Sequence, residues 1–278
     1  MSLYISSLNS GSNGNCYYVG DERDAVLIDA GISCRETEKR MKRSGLSIDR
    51  VRAVFISHEH SDHISGLRVL AKKYQLPVYV TAETGKYLNL GRDPYSIHFL
   101  RPFEHVQIGG ISVTPFPKAH DASDPHSFLV ASATIKVGVF TDIGVVCDQL
   151  IHHFKQCHAV FLESNYDEEM LEKGNYPWHL KNRIRGGKGH LSNRQAYELV
   201  LAHRPPFMSH LLLSHLSKNN NCPDLVRKLF SQFEAQMEVV VASRYNETAV
   251  YNISENSLTG IHLDRTVANP GQYQLTLF

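Results

Sequence analysis

The sequence predicts an α/β (α+β) protein in which two mixed β-sheets pack together and helices cover their outer faces. Short apolar strands and amphipathic helices alternate along all 278 residues, which is typical of a layered domain. Hairpins and helical crossovers are mixed, which favours two packed sheets over one doubly wound sheet. No Pro/Gly/Ser-rich linker separates the halves, so we expect one domain over residues 1–278. We also expect the polar tail after about residue 254 to be loosely held.

The N-terminal quarter predicts three short strands, a helix and a buried strand. The short strands are expected at residues 3–8, 15–20 and 25–30. Ser33 and Glu36 have the spacing of a capping box, which predicts a helix through about Arg43. The apolar run VRAVFIS at 51–57 predicts a buried strand that leads directly into a cluster of histidines.

The rest of the chain continues this alternation. Gly109-Gly110 within VQIGGISV is typical of a two-residue hairpin turn, and Ser192 is expected to cap a helix over 192–203. The other predicted strands are residues 77–80, 127–132, 134–140, 159–163 and 211–215. The other predicted helices are residues 64–75, 81–88, 145–156 and 223–234.

Composition restricts the classes of protein to which the chain can belong. The 29 Lys and Arg balance 28 Asp and Glu, so any affinity for nucleic acid must come from local clusters of charge. The five scattered Cys indicate reduced thiols, because they show neither paired nor C-x-x-C spacing. Neither a signal peptide nor an apolar run long enough to span a bilayer is evident. We therefore expect a cytoplasmic protein with no membrane partner, and the sequence indicates no protein partner.

The 16 His are unusually many for a domain of this size, and the densest cluster is HEHSDH at residues 58–63. Because it follows a buried strand and precedes a helix, we expect it on a loop at the strand's C-terminal end. From that loop His58 and His60 can hold one metal ion, while Asp62 and His63 hold a second ion nearby. The alternative is a solvated polar loop, but His and Asp rarely cluster at ligand spacing by accident.

The segment HEHSDHISG resembles the H-x-H-x-D-H signature of the metallo-β-lactamase fold. The segments LIDAG, PKAHD, FTDIG and LLLSHLS match further motifs of that family in the same chain order, and they contain Asp29, His120, Asp142 and His215. The resemblance covers about the first 240 residues. It implies an αββα metallo-β-lactamase sandwich with a dinuclear metal site at one edge of the sheets.

The resemblance also implies a role for each of these residues. Asp29 would be a structural aspartate, and Asp142 would bridge both metal ions. The remaining ligands would be His58, His60 and His120 for one ion, and Asp62, His63 and His215 for the other. Taken singly, His120 could be an exposed turn residue, Asp142 could begin a turn, and His215 could end a core strand. Their joint occurrence in family order favours the metal site.

Glu163 and His190 resemble a pair found in phosphodiesterase branches of this fold, such as the ribonuclease Z group. There the His is thought to protonate the leaving oxygen while the Glu orients it. The segment GHLSNRQA matches that element well, whereas LESN departs from the group's usual tract after the Glu. The alternatives are a residue flanking a helix for His190 and a carboxylate capping a neighbouring loop for Glu163. Asp62, Glu163 and His190 are thus the candidate catalytic residues.

A basic segment precedes His190 and contains no acidic residue from 177 to 190. Its cations are candidates for binding the phosphate backbone of nucleic acid, and they are Lys181, Arg183, Arg185 and Lys188. Tyr176 and Trp178 could stack on bases. The alternative is a solvated cationic helix face.

The whole pattern is most similar to the YycJ/WalJ (VicX) group of compact bacterial proteins associated with 5′→3′ DNA exonuclease activity. Only 72 residues lie between Asp142 and His215, which leaves no room for a β-CASP domain. The interval from His120 to Asp142 is too short for the tRNA-gripping arm of ribonuclease Z.

The leading hypothesis is therefore a phosphodiesterase that acts on nucleic acid, with DNA expected in preference to RNA. It would use two divalent metal ions. Zinc or manganese is expected, and iron is a further option. A small-molecule hydrolase of the thioesterase or lactonase type is the alternative, and a non-catalytic protein that retains the fold ranks last.

Other histidines are expected to be structural or exposed. We expect His126 in an exposed loop, and we expect His152, His153 and His158 at the surface or at a helix end. His203 and His210 flank Pro205-Pro206 and are expected to be structural.

Overall fold

Two seven-stranded β-sheets pack face to face in the computed structural model, with helices on their outer faces. The structure describes residues 2–88 and 97–257. The predicted fold class, two mixed sheets between layers of helix, is confirmed within these ranges. Nearly all of the tail that we expect to be loosely held lies outside the described residues.

The first sheet contains mostly N-terminal strands. They are β1 Leu3–Asn9, β2 Cys16–Gly20, β3 Ala25–Ile28, β4 Val51–Phe55, β5 Val78–Thr81, β6 Ile97–Leu100 and β14 Tyr251–Ile253. Their order in the sheet is β14-β1-β2-β3-β4-β5-β6. Pairing is antiparallel from β14 to β3 and parallel from β3 to β6.

The second sheet has a similar mixture of pairings. Its strands are β7 Val106–Ile108, β8 Ile111–Pro117, β9 His126–Ala131, β10 Lys136–Phe140, β11 Ala159–Glu163, β12 His210–Ser214 and β13 Glu238–Val241. Their order is β13-β12-β11-β10-β9-β8-β7, antiparallel from β7 to β10 and parallel from β10 to β13. The hairpin predicted at Gly109-Gly110 joins β7 to β8.

The helices match the predicted bounds near 34–43 and 192–203, but those predicted at 64–75, 81–88 and 145–156 are shorter. The helices are α1 Cys34–Arg43, α2 Ser61–Ile64, α3 Leu67–Tyr74, α4 Ala82–Gly85, α5 Asp148–Phe154, α6 Glu168–Lys173, α7 Trp178–Arg185, α8 Asn193–His203 and α9 Pro223–Phe230. Periodicity in the sequence did not predict α6, α7, β6, β13 or β14. The bounds predicted at 81–88 and 145–156 are wrong by up to three residues, whereas the helix predicted at 223–234 begins at Pro223 as expected and continues after Phe230 as a 3₁₀ turn over Ser231–Phe233.

Three apolar layers hold the sandwich together. Aromatic side chains from both sheets meet in the middle layer, where Phe55 contacts Phe128 with ring centroids 5.8 Å apart. Helices α1 and α3 cover the outer face of the first sheet, and α5, α8 and α9 cover that of the second. Burying each large apolar side chain contributes about 2–3 kcal/mol to folding. The two sheets are therefore held rigidly, and so is the edge of the sandwich where the ends of their strands meet.

The helix predicted over 64–75 is interrupted by Ser65-Gly66. The Gly66 N–H donates to the carbonyl of Ala30 at 2.8 Å, which ties this segment to the chain after β3. A Cβ atom on Gly66 would lie 1.7 Å from the carbonyl oxygen of Ile32, so only glycine allows this close approach. Asp62 and His63 consequently lie on the one-turn helix α2 rather than on a loop.

Two predictions about helix caps have different outcomes. Ser192 and Gln195 form the complete capping box that starts α8. Ser33 accepts a hydrogen bond from the backbone N–H of Glu36, but the Glu36 carboxylate pairs with Lys39 and Arg40 instead of closing the box.

His126, expected in an exposed loop, and His153, expected at the surface or at a helix end, are both buried, and His153 does lie in the last turn of α5. His126 begins β9, where its N–H donates to the Ser57 carbonyl at 3.0 Å and its side chain is enclosed. His153 lies under the second sheet, with its ring centroid 4.2 Å from that of Phe116. Periodicity did not indicate either position, because both depend on contacts with distant segments.

The five cysteines are all free thiols. Among residues 2–88 and 97–257, we find no helix with the length and apolar character required to cross a bilayer.

The buried His153 predicts acid sensitivity of the fold. Burial lowers the pKa of His153 from 6.5 to about 4, and neither ring nitrogen has a hydrogen-bond partner in the described structure. Since the unfolded chain takes up this proton first, stability is lost as the pH falls from 6.5 towards 4. We expect His153→Phe to reduce that loss by about 1–2 kcal/mol between pH 7 and pH 5.

Urea unfolding of both proteins at pH 7 and pH 5 measures this difference. His152→Gln, at the exposed neighbouring position, is the control. An unchanged acid dependence in His153→Phe would contradict the interpretation.

Candidate metal centre

The candidate site lies where the carboxyl ends of parallel strands from both sheets meet. Asp29 follows β3, the HEHSDH segment follows β4, Asp142 follows β10, Glu163 ends β11 and His215 follows β12. Asp29, Asp142 and His215 have φ angles of 62°, 55° and 58°. Left-handed backbone is unfavourable for residues other than glycine, and such strain concentrates at functional sites.

The first histidine cluster consists of His58, His60 and His120, whose nearest nitrogens all lie within 4.8 Å of one another. His58 Nε2 is 3.1 Å from His60 Nδ1. His120 Nδ1 donates to the Gly189 carbonyl at 3.0 Å, which leaves Nε2 as the acceptor. That Nε2 is buried without a hydrogen-bond partner in the described structure.

Burial keeps two of these rings neutral. It lowers the pKa of His120 to about 4 and that of His58 well below its usual value. A neutral imidazole offers a nitrogen lone pair to a metal ion. The cluster therefore presents nitrogen ligands that are available at neutral pH.

The second cluster consists of Asp62, His63 and His215. Asp62 Oδ2 lies 3.5 Å from both His63 Nε2 and His215 Nε2. Four ligands at about 2.0–2.1 Å from a tetrahedral metal lie about 3.4 Å from one another. The observed spacing therefore fits a divalent ion.

Asp142 connects the two clusters. Its Oδ2 is 3.3 Å from His63 Nε2, and its Oδ1 is 3.7 Å from His120 Nε2. Burial favours the neutral acid, but the charges of His215 and His63 dominate and hold the pKa of Asp142 well below its usual range. Asp142 Oδ2 is nevertheless buried with no hydrogen-bond donor in the described residues. A cation between the clusters would satisfy it.

The raised pKa values of the two histidines in the second cluster indicate an excess of negative charge around them. Burial alone would lower the pKa of His215, but Asp142 and the hydrogen bonds to Asp62 and Glu163 raise it to about 10. The pKa of His63 is likewise raised well above its usual value by surrounding carboxylates, chiefly Asp142, against the effect of burial. Divalent metal ions commonly displace such protons. The described His and Asp residues thus fit divalent metal binding.

Asp29 orients the ring of His63 from the side opposite to the clusters. Its Oδ2 accepts from His63 Nδ1 at 2.7 Å and from Ser57 Oγ at 2.9 Å, and its Oδ1 accepts from the Ser57 N–H at 2.8 Å. With Nδ1 protonated, Nε2 of His63 is left to face the site.

Glu163 is fully buried and satisfied by four donors. Its Oε1 accepts from His190 Nδ1 at 2.8 Å and His215 Nδ1 at 2.9 Å. Its Oε2 accepts from the N–H groups of Ile143 at 2.7 Å and Leu191 at 3.0 Å. Burial opposes ionisation, but the charge and hydrogen bond of His190 together with His215 lower the pKa of Glu163 to about 2.

Several polar residues that sequence reasoning did not single out complete the surroundings. Asn15 donates to Asp62 Oδ2 at 3.2 Å, and Asn165 donates to the His215 carbonyl at 2.8 Å. Lys118 donates to the Thr141 carbonyl at 2.7 Å, next to Asp142. These residues lie in SGSNGN, LESN and PKAHD, so their motifs were visible, but their contacts depend on the fold.

The basic segment lies beside the site, but its cations are not all free. Arg183 pairs with Asp121, whose other oxygen is 3.4 Å from His120 Nε2. Arg185 pairs with Glu172 at 3.1 Å, and Lys181 donates to the carbonyl of Glu172. Acidic residues from outside 177–190 thus compensate part of the positive charge of this segment. The sequence alone did not reveal these pairs, because their acidic partners lie outside the segment.

Lys188 is exposed and forms no ion pair with any described residue. Its backbone packs against Gly144, where an added Cβ would lie 2.6 Å from the Lys188 Cα.

The aromatic residues near this segment differ in their surroundings. Trp178 is 74% exposed, whereas Tyr176 accepts a hydrogen bond from Asn219 at 2.9 Å.

Comparisons with known proteins agree with this geometry. The family model described as "Beta-lactamase superfamily domain" matches residues 24–215. Exodeoxyribonuclease YycJ of Bacillus anthracis is 39% identical over 235 residues, which cover 84% of this chain and 89% of that protein. Exodeoxyribonuclease WalJ of Streptococcus pneumoniae is 30% identical over 259 residues, 91% of this chain and 95% of that protein. The resemblance inferred from the sequence motifs is confirmed.

Solved structures share the fold at low identity. The metallo-β-lactamase fold protein YhfI from Bacillus subtilis has a TM-score of 0.68 at 18% identity, covering 90% of this chain and 99% of its own. The short form of human tRNase Z has a TM-score of 0.63 at 16% identity, covering 89% and 99%. These likenesses confirm the predicted sandwich.

The contacts of Asp29 predict a role in metal affinity. Asp29→Asn would remove the negative charge that holds His63 Nδ1–H, so we expect metal affinity to fall about 10–100-fold. Titration against a chelator of known affinity measures this change. Asp49→Asn, at an exposed position, is the control. Equal affinities in the two variants would disprove a role for Asp29 in metal binding.

Proposed function

Because the chain belongs to the β-lactamase superfamily and is related to exodeoxyribonucleases, we propose that it is a metal-dependent phosphodiesterase acting on nucleic acid. More specifically, we propose a 5′→3′ exonuclease of DNA. The observation that carries this proposal is the pair of Glu163 and His190, held at 2.8 Å beside the clusters of metal ligands. Such a pair supplies an oriented proton donor, which cleavage of a phosphodiester requires at its leaving oxygen.

We propose that the site holds two divalent ions. Zinc or manganese, with iron as a further option, suits a set of imidazole and carboxylate ligands. His58, His60 and His120 would hold one ion, Asp62, His63 and His215 the other, and Asp142 would contact both. When bound, the two ions would lower the pKa of a water molecule and neutralise charge on the phosphate.

His190 is the proposed proton donor. Its Nδ1 is engaged by Glu163, so Nε2 is the remaining nitrogen that can give a proton to the leaving oxygen. The His190 side chain is 21% exposed, whereas that of Glu163 is fully buried. The His190 ring centroid lies 5.2 Å from that of His120 and 5.3 Å from that of His215. A substrate phosphate between the clusters would therefore be within reach of His190.

DNA is the proposed substrate because the two relatives described above, YycJ and WalJ, are named exodeoxyribonucleases. Of the four cations predicted to bind substrate, Lys188 is the best placed, since it is exposed and next to the loop after Asp142. Lys181, Arg183 and Arg185 would contribute less, because acidic or carbonyl groups already contact them. We also propose a cytoplasmic location, in keeping with the five free thiols.

Replacing His190 tests the proton donor. We expect His190→Ala to retain its metal content while kcat on end-labelled DNA falls about 10²–10⁴-fold, because the leaving oxygen lacks its acid. The control is His179→Ala, since His179 is exposed on α7. Metal analysis and single-turnover cleavage are measured together. Normal cleavage by His190→Ala would refute the assignment.

Replacing Lys188 tests the path of the substrate. We expect Lys188→Gln to raise the KM for DNA about 3–10-fold, with a smaller effect on kcat, because glutamine cannot neutralise a phosphate of the strand. Lys173→Gln is the control, because Lys173 pairs with Glu169 outside the basic segment. Steady-state kinetics at two salt concentrations separate the effects. If both variants behave alike, Lys188 does not bind the strand.

A further inference from the structure

A cationic cavity lies beside the metal centre, next to His215. Its volume is about 210 Å³, and Lys218, Arg227 and Arg244 line it together with Ser217 and Ser243. None of the described residues that line it is acidic. Neither the proposed metal ligands nor the Glu163–His190 pair takes part in it. We refer to it as the Arg244 pocket.

The Arg244 pocket shares a wall with the metal centre. Ser10 lines the pocket, and its Oγ accepts the backbone N–H of His215 at 2.7 Å. Leu216 also lines the pocket and follows His215 directly in the chain. The cavity therefore lies close to the metal centre.

The charge on Arg244 is not compensated by a carboxylate. Arg244 is partly buried, and its guanidinium donates to the Leu216 carbonyl at 2.6 Å. Arg227 pairs with Asp224 at 2.7 Å, but no ion pair joins Arg244 or Lys218 to an acidic group in the part of the chain that the structure describes. A partly buried cation without a counter-charge is costly, and an anionic ligand would offset that cost.

The position of Arg244 depends on a close approach to the first loop. A Cβ atom on Gly11 would lie 2.9 Å from a guanidinium nitrogen of Arg244, and Gly11 has a φ of 143°. Glycine at this position allows the guanidinium to lie against the backbone. The cation is therefore held in place rather than extended into solvent.

The start of helix α9 adds a further positive contribution. Asn221 and Pro223, on either side of its N-cap residue, line the pocket. That N-cap residue, Cys222, provides no side-chain cap hydrogen bond. Helix N-termini carry partial positive charge, which favours a phosphate, although Pro223 provides no N–H here and Asp224 adds a negative charge to the first turn.

An aromatic side chain lies at the rim of the pocket. Tyr245 lines the cavity and is 66% exposed, so its side chain is accessible to a ligand. Exposed aromatic rings beside cationic grooves stack on the bases of single strands. A cationic cavity with such a rim matches a nucleotide better than it matches a free anion.

We propose that the Arg244 pocket binds a phosphate group of the nucleic-acid strand, while Tyr245 stacks on the adjoining base. This inference rests on the proposed function, because it places the pocket along the strand held at the metal centre. The phosphate is either the terminal 5′-phosphate or an internal phosphodiester of the strand. Both have the same anionic oxygens, so the experiment compares the two sources.

Binding of a short single strand tests the pocket. The probe is a fluorescent oligonucleotide with phosphorothioate linkages, which resist cleavage, prepared with a 5′-phosphate or a 5′-hydroxyl. It is titrated with the metal-loaded protein and with Lys218→Gln/Arg227→Gln. Both replaced side chains are exposed, so the fold is expected to persist. The matched control is Lys155→Gln/Lys228→Gln, which removes two exposed cations that do not line the pocket.

We expect the pocket variant to raise the Kd for the oligonucleotide about tenfold or more. The slope of log K against log salt should become shallower by about 0.7 for each phosphate that the protein no longer neutralises. If the natural protein prefers the 5′-phosphate and the variant loses that preference, the pocket holds the terminal phosphate. If both probes weaken equally, it holds an internal one. A Kd and salt slope equal to those of the control variant would overturn the proposal.

Hydrolysis of bis(p-nitrophenyl) phosphate separates this inference from the proposed function. Hydrolysis of neither this diester nor DNA, together with weakened binding by the pocket variant, would mean that the function is wrong and the phosphate pocket is right. Cleavage of DNA by the natural protein, together with control-like binding by the variant, would mean the reverse.

Discussion

Burial of ionised carboxylates at one edge of the sandwich is the constraint on which the rest of the structure depends. Asp29, Asp142 and Glu163 are almost completely enclosed, and an enclosed carboxylate must be paired or hydrogen-bonded. Asp29 and Glu163 satisfy this requirement through N–H and O–H donors from the surrounding chain. Asp142 does not, because its Oδ2 has no donor in the described structure. Bound divalent cations would complete the balance of charge, and they are also what the chemistry requires.

The topology explains why the two halves of the chain meet at this edge. Each sheet contains parallel strands whose carboxyl ends point the same way, so loops after β3 and β4 face loops after β10, β11 and β12. Hydrogen bonds then lock the halves together, as when Ser10 after β1 accepts the N–H of His215 after β12. The proposed ligands are held by rigid elements on both sides, which is a requirement for precise metal geometry.

Sequence reasoning identified the local parts of this arrangement and missed the contacts between residues that lie far apart in the chain. The HEHSDH cluster, the hairpin at Gly109-Gly110 and the helix cap at Ser192 each follow from neighbouring residues, and the structure contains all three. The pairing of Arg183 with Asp121 joins residues that are 62 positions apart, so no local pattern indicates it. The same holds for the buried His153 and for the break in the helix at Gly66, both of which arise from packing against other layers.

Cleavage of end-labelled DNA by the metal-loaded protein tests the central claim most directly, with single strands, duplexes and matched RNA as substrates. The protein is freed of metal, reloaded with zinc or manganese, and compared with Asp62→Ala, which lacks one proposed ligand. A metal-dependent phosphodiesterase would shorten DNA progressively from the 5′ end and would lose this activity on metal removal and in Asp62→Ala. An absence of cleavage by the natural protein with both metals bound would contradict the claim.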